Sequence, residues 1–262
     1  MKDDKERNLE ITDLAHESAK LRLFVEAPLF EGAAISLKDA QAHYVIHVMR
    51  ANAGDRVLLF NGRDGEWLAR VAKISRKDAI LSCDSKTAEQ AGVPDLWLAF
   101  APIKKTPADY VAQKATELGT SRLQPVFTDR TVVRRVNTAR LRANAIEAAE
   151  QSGRLNVPEI EEPLALEALL RSWPKERRLV FCDEGGDARP IAEVLAAAKG
   201  SAGAWGVLTG PEGGFTKKER SAIRRHPFVL PVTLGPRIMR ADTAALAALA
   251  VWQSVLGDWA AL

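Results

Sequence analysis

Apolar and polar positions follow two rhythms along the chain. From Leu21 to about Thr87, short apolar runs are broken by turn signals at Ala53-Gly54-Asp55, Asn61-Gly62 and Asp64-Gly65. The runs predict strands at Leu21–Val25, Arg56–Phe60, Glu66–Ile74 and Ala79–Ser82. One helix is predicted among them, from Ser36 through Arg50, with Ser36 as N-cap and Val45, Val48 and Met49 on its buried side. Closely spaced strands with a single helix predict a small β-barrel.

From Leu96 onward strands and helices alternate. Near-continuous apolar runs predict strands at Leu96–Ile103, Leu123–Phe127, Arg178–Cys182, Trp205–Leu208 and Val229–Leu234. Thr106-Pro107-Ala108-Asp109 reads as a helix start, with Val111, Ala115 and Leu118 on one face and Gly119 as the stop. A second helix runs from Thr138 to Gly153 over a stripe of Leu141, Ala145, Ala148 and Ala149, and a third from Pro190 to Lys199. Thr216 and Glu219 form a capping box for a fourth, and an alanine-rich helix follows Asp242 or Thr243 as N-cap. Strands this apolar, separated by helices, predict an α/β fold with a parallel sheet covered on both faces. The polar stretch ending at Asp95, with Gly92 and Pro94 as breakers, reads as a linker. The expected organisation is a mobile tail at 1–20, a barrel at 21–87, a linker at 88–95 and an α/β domain at 96–262.

Composition changes this picture little. Of the 262 residues, 47% are hydrophobic and 27% charged, the composition of a globular protein and not of a chain disordered by default. No run approaches the roughly 18 to 20 apolar residues of a membrane span, and the polar start is no signal peptide. Cys83 and Cys182 are isolated, which predicts a reduced, cytoplasmic protein. His43 and His47 share a helix face, but without HExxH or an evident carboxylate ligand no metal is expected. Net charge is only +3, yet Arg130, Arg134, Arg135, Arg140 and Arg142 fall in one stretch with no acid between them. That stretch reads either as a solvated basic face or as a phosphate-tracking surface for nucleic acid.

The candidate chemistry lies in two glycine-rich turns, Gly210-Pro-Glu-Gly-Gly-Phe-Thr216 and Leu234-Gly-Pro-Arg-Ile-Met-Arg-Ala-Asp-Thr243. Each follows a predicted strand and runs into a predicted helix, so the two should lie side by side where ligands bind to α/β sheets. The first lacks the lysine of a P-loop and the spacing of a dinucleotide turn, and Glu212 would repel a phosphate. The expected ligand is therefore neutral or positive where it meets the turn. A tight connection binding nothing is the alternative.

Together with Gln113-Lys-Ala-Thr-Glu-Leu-Gly119 and Glu147-Ala-Ala-Glu-Gln-Ser-Gly-Arg154, these turns resemble the RsmE family, 16S ribosomal RNA uridine-N3 methyltransferases of the SPOUT class. The similarity covers nearly everything from Leu21 to Trp252, and reaches the first domain through Ala42-His-Tyr-Val45, Val48-Met-Arg50 and Phe60-Asn-Gly62. It implies a PUA-like RNA-binding barrel, a knotted SPOUT α/β domain, a homodimer, and S-adenosyl-L-methionine bound within the knot. Carried over residue by residue, the methyl donor is expected at Cys182 and Glu184, at Thr209, Gly210, Pro211, Glu212, Gly213 and Gly214, and at Leu234, Gly235, Ile238, Met239, Arg240 and Thr243. Position 242 is Asp where the family usually has Glu.

The implied activity is methylation of uridine N3 in 16S ribosomal RNA of the small ribosomal subunit. Arg240 is the first candidate to stabilise the uracil anion and Arg154 the second. Arg50, Arg63, Arg130, Arg134 and Arg135 are the candidate RNA contacts. From composition and charge alone, a non-catalytic ribosome-binding protein stays open, as does a SPOUT enzyme with another RNA target.

Overall fold

A computed structural model describes residues 19–261 apart from 105, 186, 201 and 202. The expected tail at 1–20 therefore lies, but for its last two residues, outside the described residues. The chain forms two compact units: residues up to 92 together with 149–157, and residues 93–148 together with 158–262.

The first unit is built on β1 (Leu21–Phe24), β2 (Ala34–Leu37), β3 (Arg56–Phe60), β4 (Glu66–Ile74) and β5 (Ala79–Ala88). Their order is β1-β3-β4-β5-β2, with β1 parallel to β3 and every other ladder antiparallel. Alternate residues fill the core, among them Leu23, Ile35, Leu37, Val57, Leu59, Ala69, Val71 and Leu81. β5 continues to Ala88, well past the predicted Ser82, because register shifts along β4 keep the two long strands paired.

The helix expected over 36–50 is corrected by the structure. Ser36 lies inside β2 opposite Ile80 of β5, because Ile35 and Leu37 alternate into the core. The helix α1 (Asp39–His43) starts after Lys38, which makes no side-chain cap bond, and widens into a π-turn over Tyr44–Val48. That wider turn swings Val48 outward to 56% exposure, while Val45 is buried. The rings of His43 and His47 do share a face, 5.0 Å apart.

Arg22 explains why 149–157 belongs to this unit. Its guanidinium donates to Glu66 Oε2 (2.6 Å) and to the carbonyl oxygens of Ala149 (2.7 Å) and Arg154 (2.6 Å), and lies 3.9 Å from the centre of the Phe60 ring. Glu150 accepts the backbone N–H of Phe24 at 2.9 Å. Its carboxylate has a packing role.

The second unit contains β6 (Leu96–Phe100), β7 (Arg122–Phe127), β8 (Glu159–Ile160), β9 (Leu164–Ala165), β10 (Arg178–Cys182), β11 (Arg189–Pro190), β12 (Trp205–Thr209) and β13 (Val229–Thr233). The order is β11-β13-β10-β12-β6-β7-β8 and every ladder is parallel. Its helices are α2 (Thr106–Glu117), α3 (Thr138–Ser152, which ends in the first unit), α4 (Leu166–Ser172), α5 (Ile191–Ala197), α6 (Lys217–Arg224) and α7 (Ala241–Leu256).

Adjacent strand residues point to opposite faces, so Leu98, Val180 and Val207 enter one core with α2, α5 and α7. Ala99, Phe181 and Leu208 enter another with α4 and α6. The sheet is covered on both faces, as its apolar runs predict. The sequence pattern does not reveal α4, a seven-residue helix with no side-chain cap at Ala165. The side chain of Thr106, the predicted cap of α2, lies outside the described residues. α7 packs against α2, α5 and β12, with Ala245 and Ala248 buried. Its N-cap is Arg240, not Asp242 or Thr243. Asp242 instead sits in the first turn, where its charge favours the positive helix end, and accepts the N–H of Thr243 at 2.8 Å.

Candidate functional site

β12 and β13, which carry the two glycine-rich turns, are not neighbours. β10 lies between them and pairs with both. The turns are thus not side by side as expected, but they converge with the end of β10 on one cavity at the carboxyl edge of the sheet. Of the predicted residues, Cys182, Glu184, Gly210, Leu234, Gly235, Ile238 and Met239 line it. Asp183, Thr233, Pro236, Arg237, Ala241 and Ala244 line it as well and were not singled out from sequence. Asp183 was findable as the residue between two predicted ones, and Pro236 and Arg237 lie inside the second motif.

The first turn closes on itself. The N–H of Gly214 donates to the carbonyl of Pro211 at 2.9 Å. Gly214 has φ +65°, and a Cβ there would lie 3.1 Å from Glu184 Oε2, so glycine serves both conformation and space. Phe215 packs edge-on to Phe181 at 5.1 Å. The capping box is present as predicted: Thr216 Oγ1 accepts the N–H of Glu219, and Glu219 Oε2 accepts the N–H of Thr216 at 2.8 Å. Thr209 and Pro211 are buried behind the turn, Glu212 is exposed, and none of these three lines the cavity.

The turn is also tied to the basic segment. Glu219 Oε1 accepts the N–H of Asp129 at 2.8 Å, and Arg130 Nη1 donates to the carbonyl of Gly213 at 2.7 Å. Arg130 is therefore engaged with the first glycine-rich turn, a contact that no local pattern announces. Arg134 and Arg135 are exposed farther along, while Arg140 pairs with Asp109 at 2.5 Å.

One wall carries acids whose charge is largely compensated. The fully buried Asp183 carboxylate meets Arg220 Nε and Arg224 Nε, each at 2.7 Å. Arg224 also forks onto Asp187 at 2.8 and 2.6 Å, and this hydrogen bonding holds the Asp187 carboxyl below the usual range. Burial, assisted by Glu184 and Asp183, pushes the Cys182 thiol up to about 12. Cys182 is a neutral wall and no nucleophile.

Arg240 is exposed directly after the second turn, and among the described residues no carboxylate pairs with it. Arg154 falls in the other unit, where its guanidinium donates to Asn156 Oδ1 at 3.1 and 2.8 Å. Arg50, with φ +50°, and Arg63, which donates to the carbonyl of Glu26 at 3.0 Å, also belong to that unit. Thr243 is exposed in the first turn of α7 and does not line the cavity.

Comparison with known proteins follows this division. The RNA methyltransferase domain matches residues 90–253, and the RNA methyltransferase PUA domain matches residues 37–82. The chain is 31% identical over 230 residues to the ribosomal RNA small subunit methyltransferase E of Rickettsia conorii, covering 87% of this chain and 93% of that one. It is also 31% identical over 238 residues to the protein of that name from Synechocystis, covering 90% and 78%. The crystal structure of a ribosomal RNA small subunit methyltransferase E from Neisseria gonorrhoeae bound to S-adenosyl methionine superposes with a TM-score of 0.81 at 28% identity, covering 91% of this chain and 99% of that one. With both domains matched and these relatives covered over most of their length, the chain belongs to the ribosomal RNA small subunit methyltransferase E family.

Proposed function

We propose that this chain uses S-adenosyl-L-methionine to methylate N3 of a uridine in the 16S ribosomal RNA of the small ribosomal subunit. The observation that carries this reading is the cavity at the carboxyl ends of β10, β12 and β13, whose walls suit that methyl donor. Leu234, Ile238 and Met239 offer apolar surface to a flat base, with Ile238 90% exposed. The backbone N–H groups of Arg237, Ile238 and Met239 have no acceptor among the described residues, so they can pair with a base edge. Glu184 at the rim favours a cation and disfavours phosphate, and the neutral Cys182 thiol presents no competing nucleophile to an alkylating group.

The methyl donor, when bound, supplies an electrophilic methyl group on a cationic sulfur. The chain contributes orientation, and the turns hold their backbone groups fixed for it. Uridine N3 must lose its imide proton, which we assign to solvent, and the Arg240 guanidinium is the group we assign to stabilise the anion on the uracil carbonyls. Arg154 is the second candidate. The RNA backbone is read here as held by Arg50, Arg63, Arg134 and Arg135, with Arg130 shared between RNA and the cofactor turn. The same reading has residues 21–87 bind RNA, residues 96–262 carry out transfer and dimerisation, α7 pass through a trefoil knot, and the homodimer act in the cytoplasm. Light scattering tests the dimer.

Mass-spectrometric mapping of small-subunit RNA after incubation with the protein tests the activity. One new N3-methylated uridine is expected, and RNA without a methylated uridine would overturn the proposal. Arg240→Ala should slow single-turnover methylation by roughly two to three orders of magnitude with RNA binding retained. An unchanged rate would remove Arg240 from this role.

A further inference from the structure

A second cavity, of about 490 Å³, opens at the carboxyl end of β6 within the same unit. This volume is inside the roughly 300–1,000 Å³ range of small-ligand sites. Its floor is apolar, built from Phe100, Ile103, Val136 and Leu141, and its rim carries Arg135 and the Arg140–Asp109 ion pair. Two features link it to the cofactor cavity. The N–H of Ala101, directly after β6, donates to the carbonyl of Thr209 at 3.1 Å, so the ends of β6 and β12 are joined. The segment that walls the second cavity at Val133 and 135–137 is fastened at its start to the cofactor turn, through Asp129–Glu219 and Arg130–Gly213.

We infer that this second cavity holds one unpaired nucleotide of the substrate RNA, with its base on the apolar floor and its phosphate on Arg135. The inference rests on the methyltransferase reading above and adds a substrate site to it. A flat base with one face buried and an anionic phosphate at the rim match an apolar floor edged by arginine. Duplex RNA keeps its bases stacked inside the helix, so only a splayed-out nucleotide can enter. Arg140 is occupied by Asp109, whereas Arg135 is exposed with no carboxylate partner among the described residues.

Small-subunit RNA carrying 5-iodouridine, photo-cross-linked to the full chain and mapped by mass spectrometry, tests this directly. Cross-links are expected at Phe100 or within residues 133–141. Cross-links confined to other parts of the chain, or to none, would overturn the site. Val136→Trp fills the cavity and should raise the KM for RNA at least tenfold while the Kd for S-adenosylmethionine stays within twofold of wild type. A wild-type KM in folded Val136→Trp overturns the proposal. Should that variant not fold, the surface change Arg135→Ala takes its place: a raised KM for RNA, partly restored in Arg135→Lys, supports the site, and an unchanged KM overturns it. Cross-links in the cavity from a wild-type protein that does not methylate would sink the methyltransferase reading and leave the nucleotide site standing. A site that instead accepts a side chain of a ribosomal protein would show methylation without these cross-links.

Discussion

Glu219 joins the first glycine-rich turn to the basic segment, and its buried carboxylate accepts hydrogen bonds at both oxygens. Oε1 takes the N–H of Asp129 at 2.8 Å, and Oε2 takes the N–H of Thr216 at 2.8 Å with the Thr216 hydroxyl at 3.0 Å. Glu219→Gln preserves size and shape but leaves only one oxygen to face these donors, so an NH₂ must confront a backbone N–H. Losing one charge-assisted hydrogen bond and leaving a part-buried donor unpaired costs about 1–3 kcal/mol. Glu219→Ala removes every one of these bonds and the capping box together, and should cost roughly 1 kcal/mol more than Gln. In a unit of this size that places the fall in Tm for Gln at about 2–12 °C. Loosening the turn should also weaken S-adenosylmethionine, and every 1.4 kcal/mol that reaches binding is tenfold in Kd. Thermal scans with calorimetric titration measure both. If Glu219→Gln kept wild-type Tm and Kd, the carboxylate would not be the tie between the two segments.

In the first unit, Arg22→Met removes the counter-charge of the buried Glu66 carboxylate and should lower stability by about 3–5 kcal/mol in urea titration, with faster hydrogen exchange across 149–157. Protection there equal to wild type would mean that Arg22 does not hold that segment. Gly214→Ala forces an L-residue to φ +65° beside Glu184, a strain of roughly 1–2 kcal/mol, and should raise the Kd for S-adenosylmethionine about 5- to 30-fold with unchanged circular dichroism. The Cys182 thiol titrates near 12 when folded and near about 8.5 when unfolded, so its stabilisation is complete below about 8.5 and is lost as pH rises. Cys182→Ala should therefore flatten the alkaline fall in stability by up to about 1.4 kcal/mol per pH unit, and an unchanged slope between pH 9 and 11 would refute this. Arg130→Ala should act on cofactor affinity, while Arg134→Ala should reduce the salt dependence of RNA binding by about one counterion with cofactor affinity intact. The reverse pattern would return Arg130 to the RNA surface alone.

The parts legible in the sequence were those encoded locally. The strands of the parallel sheet are apolar on both faces, so their runs stand out, and helix stops at Gly119 and Gly153 mark α2 and α3. The capping box at Thr216 and Glu219 needs only four residues to be recognised, and it is present as read. Ser36 shows where local reading fails. Its hydroxyl is a good cap, yet Ile35 and Leu37 gain more by burial against β5 than a helix start could return, and the strand wins. The π-turn that exposes Val48 has no signature in spacing, because it departs from the 3.6-residue period that spacing arguments assume.

The two glycine-rich turns were legible as motifs but not in their placement. Two junctions separated by a short helix and strand look adjacent, yet parallel strands are ordered by crossover connections, and here the earlier β10 is inserted between them. That insertion brings Asp183 and its two arginines to the cavity wall, although Asp183 lies far from either turn in sequence. Arg130 carries the same lesson for charge. A run of arginines with no acid reads as a phosphate surface, because composition registers the charge and not the carbonyl it faces. The hydrogen bond to Gly213 spans 83 positions and ties the start of the basic segment to the first glycine-rich turn, while Val133 to Leu141 of the same segment borders the second cavity. A stretch that sequence reads as a solvated face or an RNA surface is thus tied to the first glycine-rich turn as well, so a substitution within it should be judged by cofactor affinity as well as by RNA affinity.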